Sequence, residues 1–183
     1  MVHAWHELPS RPQSPEGAVN AVIEIPSGSK VKYELDKPTG MLRVDRVLHS
    51  SVHYPANYGF IPRSYCDDGD PLDILVLCSE SVAPLSLIVG RVIGVFRMID
   101  SGKSDDKVLA VHAHDPAFEE ITDIGNLPKH VAREIQRFFT DYKALEARDV
   151  LVGEPLARDE AIVIVDEALE LYRKEESRLR GWG

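Results

Sequence analysis

The chain has 183 residues, of which 44% are hydrophobic and 28% charged, a composition typical of one folded globular domain. Its 21 lysines and arginines against 30 aspartates and glutamates give a formal charge of −9, which argues against binding nucleic acid through bulk charge. No apolar run approaches the ~18 residues of a membrane helix, and the start lacks a secretion-signal pattern. Two cysteines, Cys66 and Cys78, are too few for a disulfide framework or a zinc cluster. We therefore predict a cytoplasmic protein that binds neither membranes nor nucleic acid.

The first two thirds of the chain have the pattern of β-structure. Residues 1–18 contain three prolines and no periodicity, which predicts an extended arm on the surface. Strands are predicted at residues 19–25, 31–35, 41–48, 74–78, 87–96 and 107–112, with an ordered loop at 51–67. The second and third strands flank a Pro–Thr–Gly turn and form a hairpin. In the 87–96 strand, Gly90 and Gly94 indicate bends or bulges of the kind that curl a sheet into a barrel.

After Pro128 the apolar residues follow a helical period. A first amphipathic helix is predicted with Val131, Ile135, Phe138, Tyr142 and Leu145 facing inward. A second is predicted from about Asp159 to Arg180, with Ile162, Val165, Leu169 and Tyr172 facing inward. No repeat or linker divides the chain, so we predict one domain over residues 1–183, of the α+β class and mainly β, with two C-terminal helices.

The densest charge cluster is the run DDGDPLD from Asp67 to Asp73, which leads directly into an apolar strand. Two carboxylates ~5 Å apart repel by about 3 kcal/mol at an effective dielectric constant near 20, so such a cluster tends to protonate or to bind cations. Oxygen donors without a nearby His or Cys favour Mg²⁺ or Mn²⁺ over zinc. An EF-hand is excluded, because its glycine position falls on Asp73. An isolated acidic run of this kind is more often a solvated turn.

A second acidic turn, from Asp100 to Lys107, makes a functional site more plausible than a solvated surface. Two acidic turns that follow or precede β-strands could face each other across a barrel mouth and hold several metal ions. Cations and phenols occur at other positions of the sequence: Lys32, Arg46, Tyr54, Tyr58, Tyr142 and Lys143. Singly, these are more often surface ion pairs or packing residues. Beside metal-binding carboxylates, they are what a phosphate ester or anhydride requires.

The stretch DGDPLD from Asp68 to Asp73 resembles the signature DxDPxD of the family I soluble inorganic pyrophosphatases. The resemblance covers roughly residues 22–172 and includes KYE at 32–34, VDR at 44–46, YPANYGFIP at 54–62 and FFTDYK at 138–143. The opening HAWH and the stretch SKVKYELDK are similar to the plant-type and related bacterial branch. The resemblance implies a five-stranded OB-like β-barrel with flanking helices. It also implies hydrolysis of pyrophosphate to two phosphates by a metal-activated water, with several Mg²⁺ ions per site and Mn²⁺ as a candidate substitute.

The same resemblance implies roles for individual residues. Metal ligands fall on Asp68, Asp70, Asp73, Asp100 and Asp105, with Asp70 also acting as general base. Phosphate-binding residues fall on Lys32, Arg46, Tyr58, Lys107, Tyr142 and Lys143, with Glu24, Glu34 and Tyr54 in support. His53, His112 and His114 are peripheral differences from the family. The resemblance further implies a homo-oligomer, with a hexamer favoured.

Two other functions are compatible with parts of the pattern. A non-enzymatic OB-type module that binds nucleotides or oligonucleotides fits the strand order and the tyrosines, but the negative charge opposes it. A metal-dependent phosphatase for organic pyrophosphates, such as nucleoside triphosphates, is disfavoured because no Gly-rich phosphate loop is visible.

Overall fold

The structure is a computed structural model that describes residues 2–15, 17–146 and 150–181. The described residues form nine β-strands and two α-helices. In chain order these are β1 Ala18–Ile25, β2 Val31–Asp36, β3 Met41–Val47, β4 Asn57–Phe60, β5 Asp73–Leu77, β6 Leu87–Asp100, β7 Lys103–Ser104, β8 Lys107–His112, α1 Lys129–Asp141, β9 Val150–Ala157 and α2 Arg158–Leu179. Short 3-10 helices lie at Pro116–Phe118, Ile124–Asn126 and Ala144–Glu146.

Five strands close into a ring. β1 pairs with β4, β4 with β5, β5 with β8, β8 with β6, and β6 returns to β1. Of these pairings, β5–β8 is parallel and the others are antiparallel. β6 has 14 residues, so its first half pairs with β1 while its second half pairs with β9. The ring and the two helices confirm the predicted mainly β architecture of an OB-like barrel with C-terminal helices.

Two glycines allow strands of the ring to approach closely. Gly59 on β4 lies opposite Ile23, and a Cβ atom there would lie 1.8 Å from the carbonyl oxygen of Val22, so only glycine fits. The register of β6 and β8 shifts between Val92 and Gly94, which confirms the irregularity predicted at Gly94. Gly90 differs from the prediction, because it pairs in regular register with both neighbouring strands.

The two helices cover the ring with the apolar faces that their periodicity predicts. In α1, Ile135, Phe138 and Phe139 are buried against side chains of the sheet, and α2 buries Val165 and Leu169 in a second cluster. Leu145 was predicted to face inward but is 70% exposed, because α1 ends at Asp141 before a turn of 3-10 helix. In the described part of the chain, no helix combines the length and apolarity needed to cross a membrane. Cys66 and Cys78 are partly buried free thiols.

Three strands were not predicted: β4, β9 and the two-residue β7. β4 falls in the segment predicted as loop, because its four residues, NYGF, are all buried and show no alternation. β9 contains Gly153 and Pro155, which indicate a turn in the sequence. Among the described residues, β9 pairs only with β6, so it lies at an edge of the sheet. Proline is tolerated in an edge strand.

The N-terminal segment differs from the predicted extended surface arm. Residues 4–7 form turns, and Trp5 is only 2% exposed, packed with Val22, Phe60 and Tyr172. Its indole N–H donates a hydrogen bond to the carbonyl oxygen of Ser64 at 2.8 Å. The segment is therefore anchored to the body of the protein by a buried aromatic side chain.

Candidate functional site

A cavity of about 800 Å³ lies at the end of the sheet where β5 and β8 begin and β6 ends. Because β5 and β8 are parallel neighbours, Asp73 and Lys107 at their first positions face each other in register. The antiparallel β6 brings Asp100 to the same end, and the 3-10 turn after α1 adds Lys143. The two acidic turns of the sequence thus meet at one cavity.

All of the predicted site residues except Arg46 line this cavity. They are the carboxylates Glu24, Glu34, Asp68, Asp70, Asp73, Asp100 and Asp105, the lysines Lys32, Lys107 and Lys143, and the tyrosines Tyr54, Tyr58 and Tyr142. His53, His112 and His114 lie outside the lining.

Arg46 lies beside the cavity, on β3 directly opposite Lys32 of β2. Its Nε atom donates to Glu146 at 2.8 Å, and its Nη1 atom pairs with Asp45. The remaining nitrogen, Nη2, is buried and has no hydrogen-bond partner among the described residues. Asp45 and Glu146, which were not predicted as site residues, therefore orient the guanidinium group. Its Nη2 nitrogen is left to donate to a ligand.

Lys107 is the buried cation of the site. Its ammonium group donates to Asp73, to Asp105 at 2.6 Å and to the Tyr58 hydroxyl at 3.2 Å. Burial opposes its charge, but the two carboxylates outweigh burial and hold the pKa of Lys107 well above its usual value. Burial raises the pKa of Asp73, and the neighbouring Asp105 carboxylate raises it further, although the Lys107 ammonium group opposes the rise.

Two further carboxylates of the acidic turns are also paired with lysines. Lys143 pairs with Asp100, and Lys37 pairs with Asp70. Burial raises the pKa of Asp68 to about 6, even though the Asp70 amide donates to its carboxylate at 3.0 Å. The cavity therefore concentrates carboxylates whose negative charge is partly balanced by lysine ammonium groups.

The donor chemistry of these residues fits Mg²⁺ or Mn²⁺. The five predicted ligands are all aspartates, and the cavity lining contains neither His nor Cys. Within the described residues, no three His, Cys, Asp or Glu side chains are already arranged as a metal centre. Four of the five aspartates are instead ion-paired with lysines: Asp70, Asp73, Asp100 and Asp105.

Sequence reasoning missed several residues of the lining, notably Trp5, Lys37, Arg43 and Lys103. Lys37 lies in the hairpin turn. The proline and glycine of that turn predicted its backbone conformation but gave no indication that Lys37 would line a cavity. Trp5 is an isolated aromatic residue in a proline-rich segment, a position that gives no indication of its burial.

Comparison with known proteins shows the family to which the chain belongs. The family model described as inorganic pyrophosphatase matches residues 21–173. Soluble inorganic pyrophosphatase 2 of Chlamydomonas reinhardtii is 51% identical over 172 residues, which cover 94% of this chain and 89% of that protein. The chain belongs to the inorganic pyrophosphatase family.

Other members of the family share its sequence and its fold. The soluble inorganic pyrophosphatase of Oryza sativa subsp. indica is 52% identical over 170 residues, 93% of this chain and 79% of that protein. The crystal structure of the inorganic pyrophosphatase from Thermus thermophilus superposes with a TM-score of 0.89 at 40% identity and covers 94% of this chain and 99% of that one. This chain therefore shares the fold of that pyrophosphatase.

Glu24 should make the free energy of unfolding of this pyrophosphatase depend on pH when no metal is bound. Glu24 is buried, and its Oε1 atom accepts a hydrogen bond from the Leu35 amide at 2.6 Å. Burial, reinforced by Asp73, raises the pKa of Glu24 from 4.5 to about 8. The folded state therefore retains a proton that the unfolded chain releases. The free energy of unfolding should fall as pH rises between these two values, by up to about 1.4 kcal/mol per pH unit.

We expect Glu24→Gln, which keeps the acceptor and removes the titration, to flatten that decline. The measurement is urea denaturation of both proteins in chelator at several pH values between 5 and 8. Glu154→Gln, a change on the exposed part of β9, is the control. Parallel pH profiles for wild type and Glu24→Gln would contradict the assignment.

Proposed function

We propose that this chain is a Mg²⁺-dependent inorganic pyrophosphatase that hydrolyses pyrophosphate to two phosphates. The observation that carries the proposal is the alternation of ammonium and carboxylate groups around one cavity, centred on Lys107 between Asp73 and Asp105. A multiply charged diphosphate needs both kinds of group, since carboxylates hold metal ions, and metal ions and ammonium groups together neutralise the phosphate oxygens. Membership of the inorganic pyrophosphatase family supports the same substrate.

The metal would be held by the carboxylates of Asp68, Asp70, Asp73, Asp100 and Asp105, with Mn²⁺ as a substitute for Mg²⁺. Bound there, Mg²⁺ would neutralise charge on the phosphate oxygens and lower the pKa of a water molecule. Once Asp73, Asp100 and Asp105 hold the metal, the ammonium groups of Lys107 and Lys143, now paired with them, would become available to phosphate oxygens. Both lysines are buried.

The cations and phenols divide between the two phosphoryl groups. Lys32, Arg46 and Tyr58 would bind one of them, and Lys107, Tyr142 and Lys143 the other. The buried, unpartnered Nη2 atom of Arg46 supports its part in this division. Glu24, Glu34 and Tyr54 would support the binding residues from the cavity wall. Neutralising both groups stabilises the charge that develops on the leaving phosphate.

Asp70 would take the proton of the attacking water. Its side chain is 56% exposed, more than those of Asp73, Asp100 and Asp105, so water reaches it directly. A carboxylate that accepts this proton lets oxygen attack phosphorus in line, without a covalent enzyme intermediate.

The proposal is tested by measuring phosphate release from pyrophosphate with Mg²⁺, with excess chelator, and with ATP as a competing substrate. We expect release that requires millimolar Mg²⁺, since Mg²⁺ held by a few carboxylates and waters binds weakly. Ca²⁺ should bind yet support little turnover, because it is larger and activates water poorly. Full activity in chelator, or faster release from ATP, would refute the proposal. Tight metal-independent binding of single-stranded DNA would instead favour the oligonucleotide-binding function.

Lys32→Met should lower kcat/KM for pyrophosphate by about tenfold to a hundredfold with little change in thermal stability. Charge-assisted contacts to phosphate contribute roughly 1.5 to 3 kcal/mol, whereas the partly exposed pair of Lys32 with Glu34 stabilises the fold only weakly. Lys30→Met is a matched control, because Lys30 precedes the same strand but does not line the cavity. A lower melting temperature with unchanged kinetics would make Lys32 a structural residue.

We further propose that residues 1–183 act as one domain in a cytoplasmic homo-oligomer, with a hexamer favoured. Large exposed apolar side chains, such as Leu145 and Leu151, support association between copies. Light scattering after size exclusion measures the assembly, and a monomer at micromolar concentration would refute it.

A further inference from the structure

Lys37 connects the β2–β3 turn to the acidic turn that carries Asp70. Its ammonium group donates to the carbonyl oxygen of Gly69 at 2.9 Å and pairs with the Asp70 carboxylate. It therefore contacts both the backbone and the side chain at the tip of that turn. Lys37 lines the cavity but is not among the proposed metal-binding or phosphate-binding residues.

The N-terminal segment holds Lys37 from the other side. The His3 ring donates from Nε2 to the carbonyl oxygen of Lys37 at 2.8 Å. The Lys37 ammonium lies 5.8 Å from the centre of the Trp5 ring, within the range of a cation–π contact. Both the backbone and the side chain of Lys37 are thus restrained by residues of the first turn of the protein.

Trp5 also anchors the base of the acidic turn. Its indole N–H binds the carbonyl oxygen of Ser64, and the Ser64 hydroxyl accepts a hydrogen bond from the Leu72 amide at 2.8 Å. One segment therefore restrains the turn at two points, at its base through Ser64 and at its tip through Lys37. This second restraint ends on the carboxylate that takes the proton in the proposed reaction.

We propose that Lys37, held by its cation–π contact with Trp5, is a positioning residue that orients the Asp70 carboxylate. The inference rests on the proposed function, because it assigns Lys37 to that reaction. The Lys37 and Asp70 side chains are 44% and 56% exposed, and exposed ion pairs of this kind add little to stability. The Lys37–Asp70 contact therefore serves to orient the Asp70 carboxylate, since small displacements of a catalytic group lower the reaction rate strongly.

The test compares Lys37→Gln, Lys37→Arg and the control Lys174→Gln. Lys174 is an exposed lysine paired with Glu170 on α2, so the control removes one similar ion pair away from the cavity. We expect Lys37→Gln to lower kcat by about tenfold with KM changed less than about twofold, and Lys37→Arg to recover most of the loss. The control should match wild type in both constants.

Hydrogen exchange of the metal-free protein provides a readout independent of turnover. The amides of Gly69 and Asp70 donate within their own turn, to Cys66 and Asp68. We expect these two amides to exchange about tenfold faster in Lys37→Gln and at the wild-type rate in Lys174→Gln.

Two results would overturn the positioning role. A raised KM with unchanged kcat would show that Lys37 binds substrate directly, and unchanged exchange together with unchanged kcat would show that the contact orients nothing. If wild type releases no phosphate from pyrophosphate, the proposed function fails, while the exchange comparison still decides whether Lys37 restrains the turn.

Discussion

Asp70→Asn should lower kcat for pyrophosphate by about a hundredfold or more, and raising Mg²⁺ should not restore it. An amide cannot accept the proton of the attacking water, and loss of a general base costs roughly 10²- to 10⁴-fold. Asp73→Asn should behave differently, because Asp73 is proposed chiefly as a metal ligand. Its activity should rise towards that of wild type as Mg²⁺ increases.

The measurement is kcat against Mg²⁺ and pH for both variants. In Asp70→Asn the acidic limb of the pH–rate profile should also move upward, since the water must ionise without help. Asp67→Asn is the matched control, because Asp67 belongs to the same acidic run but does not line the main cavity. Recovery of wild-type kcat by Asp70→Asn at high Mg²⁺ would make Asp70 a metal ligand only.

Lys107→Met should destabilise the metal-free protein by about 3 to 5 kcal/mol, the usual cost of removing one partner from a buried ion pair. Lys107 is 3% exposed, and its loss would leave Asp73 and Asp105 as neighbouring carboxylates without their cation. The loss should be larger at pH 8 than at pH 5, because the carboxylates can take up protons at the lower pH. Mg²⁺ should stabilise this variant more than it stabilises wild type.

Chemical denaturation with and without Mg²⁺, at both pH values, tests this expectation. Lys103→Met is the control for stability, because Lys103 is an exposed lysine at the same end of the sheet. At saturating Mg²⁺, kcat/KM of Lys107→Met should still be lowered by about tenfold to a hundredfold, through the lost contact to phosphate. Equal stabilities of the variant and wild type in chelator would show that Lys107 is not the counterion of these carboxylates.

Most of the candidate site could be predicted because its chemistry is concentrated in short stretches of sequence. The run from Asp68 to Asp73 and the KYE stretch place charged side chains at fixed spacing, and such spacing is visible without a fold. The alternation of β2 and the helical period of α1 are local in the same way. β9 was missed because its Gly153 and Pro155 are compatible with a strand only at an edge, and edge position is not a local property.

The sequence by itself determined the kinds of group in the site: oxygen ligands, ammonium groups and phenols, on a mainly β scaffold with two amphipathic helices. Only the tertiary structure decided which groups meet. The parallel register of β5 and β8 places Lys107 against Asp73, which is 34 residues away in the sequence. Arg46 donates to Glu146, which is 100 residues away. Trp5 becomes a buried anchor because Ser64 and Tyr172 surround it. Such contacts depend on long-range strand pairing and packing, which a local pattern of residues does not contain.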